Sequence, residues 1–126
     1  MKARLLPALA LVALAGCSKL HVDKQYTLES FDTKYVEVSA PTSEQKLKVM
    51  MTSDEPITLT VLLVKDIPAE KGGEFDPGRM TTGTLGQKKD VKEATLDVTV
   101  PAKEMYRVYL SGAKKTAKVS VKIDEQ

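Results

Sequence analysis

The sequence predicts an all-β protein, an antiparallel β-sandwich of seven or eight strands, and three observations carry that expectation. Apolar residues recur at every second position along most of the chain, as they do in strands with one buried face and one wet face. Beyond residue 17, no stretch has the 3.6-residue periodicity of a helix. The alternating runs are short, end in Gly, Pro, Asp or Ser, and follow one another at roughly 8 to 12-residue spacing, the rhythm of a sandwich.

The N-terminus is set apart from this pattern. Lys2 and Arg4 precede an apolar run over residues 5–15, and Ala15 and Gly16 precede Cys17. A short basic start, an apolar stretch and small residues before a cut make a secretory signal peptide, here a helix removed on export. The run is shorter than the roughly 20 residues a membrane-spanning helix needs. Leu14-Ala15-Gly16-Cys17 resembles the lipobox of bacterial lipoproteins. That resemblance implies that Cys17, the sole cysteine, takes a diacylglycerol on its sulfur, becomes the first mature residue and holds the chain on a membrane. Two or more acyl chains, of the palmitate type, anchor stably at about 0.8 kcal/mol per buried methylene. An Asp after the lipidated Cys favours the inner membrane in that family. Ser18 stands there instead, which implies lipid anchoring in the bacterial cell envelope at the outer membrane, facing the periplasm. The expected organisation is a signal peptide over 1–16, a lipid-anchored tether over 17–24 and a sandwich over 25–126.

The strands follow in order. Residues 25–31 place Tyr26 and Leu28 on one face, with Phe31 out of phase, so that run bulges or ends early. Residues 34–40 alternate Val36, Val38 and Ala40 against Tyr35, Glu37 and Ser39, and Pro41 closes them. Residues 46–52 carry Leu47, Val49 and Met51 on one side, and Ser53 to Pro56 reads as a turn. Residues 57–65 are the most apolar, with Ile57, Leu59, Val61 and Leu63 in phase, and predict a central strand. Leu96, Val98 and Val100, then Tyr106, Val108 and Leu110, then Ala117, Val119, Val121 and Ile123 supply three more. Residues 83–91 are the possible eighth.

Composition removes several function classes. One Cys and one His (His21) leave no Cys and His zinc site, and His21 lies too near the mature N-terminus to serve as general base for a Ser or Cys nucleophile. Loss of Lys2 and Arg4 brings the formal net charge from +2 to 0, and a neutral domain outside the cytoplasm has no electrostatic footprint for nucleic acid. Paired carboxylates for glycoside hydrolysis are not singled out among the 17 acids. No catalytic residue, cofactor or metal ligand set is expected, and the chain reads as a non-enzyme.

Residues 67–90 break the regularity, holding five of the seven Gly residues together with Pro68 and Pro77. Long connections inside small domains often carry function. Glu70, Glu74, Phe75, Asp76 and Arg79 are therefore the candidate partner-binding residues. The spacing Gly73 to Gly78 imitates a phosphate loop, but Arg79 and Met80 replace its Lys and Ser or Thr, and Glu74 and Asp76 repel phosphate. Glu70, Glu74 and Asp76 offer oxygen ligands for calcium without the EF-hand pattern. The lysines at 88, 89 and 92, and at 114, 115 and 118, read as protection of edges and turns. Tyr35 and Tyr109, on the polar phase of their strands, form a candidate docking surface.

Residues 34–66 and 94–123 resemble the bacterial pre-peptidase C-terminal domain and related jelly-roll modules. The resemblance rests on an opening strand ending in Ala40-Pro41, an apolar hairpin, and Met105-Tyr106-Arg107-Val108-Tyr109-Leu110 followed by a final alternating strand. It implies an Ig-like or jelly-roll-like fold and leaves function open. The combined expectation is a membrane-anchored envelope lipoprotein whose sandwich serves protein interaction or structural roles. The alternative is a sugar- or calcium-binding accessory module of an envelope system.

Overall fold

In the computed structural model, which describes residues 19–67, 76–80 and 83–126, the alternating segments form six strands. These are β1 (His21–Leu28), β2 (Lys34–Val38), β3 (Gln45–Leu63), β4 (Gly86–Val100), β5 (Tyr106–Ser111) and β6 (Ala117–Glu125). All neighbours are antiparallel, in the order β1-β6-β3-β5-β2, with β4 on the other side of β3. β3 organises the molecule. Its first half pairs with β6, from Leu47 opposite Glu125 to Ser53 opposite Val119. Its second half pairs with β5, from Thr58 opposite Ser111 to Leu63 opposite Tyr106. β4 follows it along both halves.

The long β3-β4 hairpin folds over itself, so one hydrogen-bonded sheet makes both layers of a β-sandwich. A Cβ added to Gly86 would meet side-chain atoms of Leu96 and Val98, residues ten or more positions along the same strand. An extended strand rises about 3.3 Å per residue, so that contact requires the strand to bend back. One layer is then β1, β6 and the first half of β3 with the second half of β4. The other is β2, β5 and the second half of β3 with the first half of β4.

Two expected boundaries differ from this arrangement. The segment Ser53 to Pro56 bends without reversing the chain, and the pairing register with β4 shifts between Thr52 and Ile57. The Ser53 hydroxyl donates to the Glu55 carbonyl at 2.6 Å and accepts its N–H at 3.2 Å, taking over groups that the ladder drops at this bulge. The two expected segments 46–52 and 57–65 are thus one strand. Residues 83–91 and 95–100 likewise merge into β4 across a second irregularity, where Asp90 adopts a φ of 53°. Seven or eight alternating runs therefore become six continuous strands. β1 also starts at His21, four residues before Gln25, and ends at Leu28, leaving Phe31 exposed at a φ of 59°.

The inward rows close a single core. Leu28, Leu47, Val49, Met51, Ile57, Leu59, Val61, Val100, Tyr106, Val108, Leu110, Val121 and Ile123 are buried in it. Parity holds through the bend in β3: odd positions face inward both before Ser53 and after Pro56. This is the alternation that the sequence displays, and it decides which residues are left for the outer faces.

Candidate functional site

Of the connection from β3 to β4, Ile67 and residues 76–80 lie on the outer face of the β3-β5 layer. Of the residues expected there to bind a partner, Glu70, Glu74 and Phe75 lie outside the described residues, as does Cys17; Asp76 and Arg79 are described. The Asp76 carboxylate accepts the Gly78 N–H at 3.0 Å and so caps the 3₁₀ turn Pro77–Arg79. Arg79 lies 3.4 Å from the same carboxylate, and both side chains are exposed, so the pair adds little to stability. The turn is pinned to the sheet. Gln87 donates to both the Thr60 hydroxyl and the Pro77 carbonyl at 3.1 Å. Gly78 sits where a Cβ would stand 3.5 Å from the Ser111 hydroxyl and 3.6 Å from the Thr58 methyl. Ile67 and Met80 complete the seal over Leu62 and Tyr109, a second small apolar cluster on this outer face.

Beside this covered patch the structure brings together four residues, two of which sequence reading had picked out. Tyr35 faces Tyr109 across the β2-β5 ladder, and Glu37 faces Arg107. The tyrosine rings lie 5.2 Å apart at 50°. The Arg107 guanidinium stacks 4.3 Å from the Tyr35 ring centre, donates to the Tyr109 hydroxyl at 2.9 Å and to the Glu37 carboxylate at 2.7 Å. The bond to Tyr109 and the Glu37 carboxylate hold the guanidinium above its already high pKa, outweighing the opposing effect of burial. Tyr109 is buried, whereas Tyr35 is 44% exposed. The result is an aromatic ring open to solvent, fixed from below by a locked cation. Arg107 and Glu37 carry no motif; only the β2-β5 register reveals them.

A second concavity lies on the opposite layer. Gln25, Thr27, Thr52, Ser53, Lys118 and Ser120 line a shallow cleft of about 490 Å³. Asp54, which accepts the Lys118 backbone N–H at 2.8 Å, lines it as well. Its groups are mostly neutral hydroxyl and amide functions. Among the described residues no three His, Cys, Asp or Glu side chains converge as a metal ion would require.

The fold and these outer faces define the class of the protein as a jelly-roll-like β-sandwich module. Its architecture matches the pre-peptidase C-terminal domain of a collagenase from Bacillus anthracis. That likeness has a TM-score of 0.60 at 8% identity, covering 82% of this chain and 89% of that one. The Yersinia pseudotuberculosis-derived mitogen follows with a TM-score of 0.57 at 8% identity, over 86% and 88% of the two chains. A periplasmic inhibitor of g-type lysozyme from Aeromonas hydrophila has a TM-score of 0.52 at 13% identity, over 86% of each. At such identities the likeness is one of fold. No family model and no curated sequence matches the chain.

Proposed function

We propose that the protein is a lipid-anchored envelope lipoprotein, held at the outer membrane through Cys17, whose non-enzymatic β-sandwich binds a protein partner. The binding surface in this reading is the outer face of β2 and β5 around Tyr35, next to the β3-β4 connection. The observation that carries it is the exposed Tyr35 ring, held by Arg107 and Tyr109 in one orientation. Rigid aromatic and arginine side chains dominate interface energetics because little conformational freedom is lost on contact. A fold shared with a periplasmic lysozyme inhibitor agrees with a binding role outside the cytoplasm. Among the described residues no helix is long and apolar enough to cross a membrane.

The test has two arms. Cys17→Ala abolishes incorporation of labelled palmitate and releases the protein from the membrane fraction. The full chain, extracted in mild detergent, captures an envelope protein that Tyr35→Ala loses. Unchanged fractionation of Cys17→Ala counts against the anchor, and equal capture by both forms, or none, counts against the surface. The neutral cleft lined by Gln25, Thr27, Thr52 and Ser120 favours a second reading, a sugar-binding accessory module. Calorimetry with envelope glycans separates the two, since the protein-partner reading gives no heat.

A further inference from the structure

Strands β1, β2 and β4 each pair on one side only among the described residues, which leaves their outer edges open. An open edge is a template for another strand, and proteins commonly block it with a lysine on the core-facing row, where a new strand would bury the charge. Directly opposite residues of an antiparallel pair project to the same face. By that rule Lys24 of β1 shares the core-facing row with Val121, Lys34 of β2 with Leu110, and Lys88 of β4 with Leu59. Each of those three partners is fully buried. The first half of β4 is further broken by the irregularity at Asp90 and flanked by exposed Lys89 and Lys92.

Residues 93–100 are different. Their core-facing row is Ala94, Leu96, Val98 and Val100, their outward row Glu93, Thr95, Asp97 and Thr99, and they contain no lysine, proline or glycine. Their register with β3 is unbroken from Gln45 opposite Val100 to Thr52 opposite Glu93. Among the described residues, the open edges thus carry guards everywhere but here. We propose that residues 93–100 accept an extended segment of a partner polypeptide as an added strand, one with apolar residues on one row and basic residues four apart on the other. Glu93 selects that partner, helped by Asp97, which also faces Lys48 across the ladder and accepts from the Gln126 amide at 2.8 Å, because cross-strand opposite charges stabilise a pair and like charges oppose it. The same acids disfavour a second copy of this chain, whose matching row carries Glu93 and Asp97 again. This site goes beyond the Tyr35 surface, since residues 93–100 lie in the layer of β1 and β6 whereas Tyr35 lies in the layer of β2 and β5.

The probe is a fluorescent nine-residue peptide of alternating Val and polar residues with two Lys four positions apart, titrated into the full chain beside the same peptide with Glu for Lys. The expected outcome is binding of the Lys peptide, with the Glu peptide weaker by about tenfold or more, and slowed amide exchange confined to residues 93–100. Ala94→Lys, which rebuilds the guard present on the other edges, abolishes binding. The exposed double variant Glu93→Lys with Asp97→Lys keeps the core row intact and swaps the preference to the Glu peptide. Tyr35→Ala leaves both titrations unchanged, so failure here is separate from failure of the Tyr35 surface. No binding, protection on β1 or β2, or equal preference in the double variant overturns the proposal.

Discussion

Tyr106 is fully buried, and its hydroxyl has no hydrogen-bond partner among the described residues. Burial pushes its phenol well above the ordinary range, and the nearby Glu125 carboxylate adds to the shift by repelling the phenolate. Removing an unsatisfied buried hydroxyl while keeping the ring is therefore favourable. Tyr106→Phe is expected to raise stability at pH 7 by about 1 kcal/mol, read from the urea midpoint. The alkaline side follows from the direction of the shift. The folded form stays protonated where the unfolded chain ionises, at about pH 10, so stability is fully present below that pH and falls as pH rises above it. Urea melts at pH 7 and above pH 10 check the sign: the loss between them is smaller in Tyr106→Phe than in the parent. Alternation places Tyr106 inward from the sequence alone. The missing partner for its hydroxyl is a matter of packing, which no sequence pattern encodes.

At the scale of the element, glycine and proline are where sequence and structure part. Gly86 reads as one of several loop glycines, yet it is the first residue of β4 and lies against the far half of its own strand. A Cβ there stands 3.1 Å from a Val98 methyl and 3.2 Å from a Leu96 methyl. Gly86→Ala is expected to cost about 1 to 2 kcal/mol through overpacking. Adding Val98→Ala returns part of that loss, so a double-mutant cycle gives a non-zero coupling between the two sites. Ser53 to Pro56 has turn composition, but the Ser53 hydroxyl bridges to Glu55 and the chain passes on into the other layer. What the sequence does carry is phase: the odd-numbered inward row of β3 is visible on both sides of that bend. The candidate site was less legible. Tyr35 and Tyr109 stand out as tyrosines on polar rows, whereas Arg107 and Glu37 become visible only when β2 is laid against β5.

For the whole molecule, the register joins the first strand to the last. His21 pairs with Asp124, which lies 103 residues away, and Leu20 exchanges hydrogen bonds with Glu125 through its carbonyl and amide. The sandwich closes only when such distant segments meet, and chains dominated by distant pairings fold slowly. Refolding from urea is expected on the millisecond to second timescale, and stopped-flow fluorescence of the tyrosines measures it. A microsecond phase with full amplitude would contradict the β1-β6 closure. The sandwich class itself follows from alternation and short spacing, but this closure of first strand on last does not, because periodicity says which face is buried and never which strand is next door. The same closure fixes how the domain bears tension. The first residue of β1 and the last of β6 sit side by side, so a load applied between the termini strains their hydrogen bonds one after another. The two end strands peel apart like a zip, and the domain yields at a lower force than one in which the same bonds are sheared together.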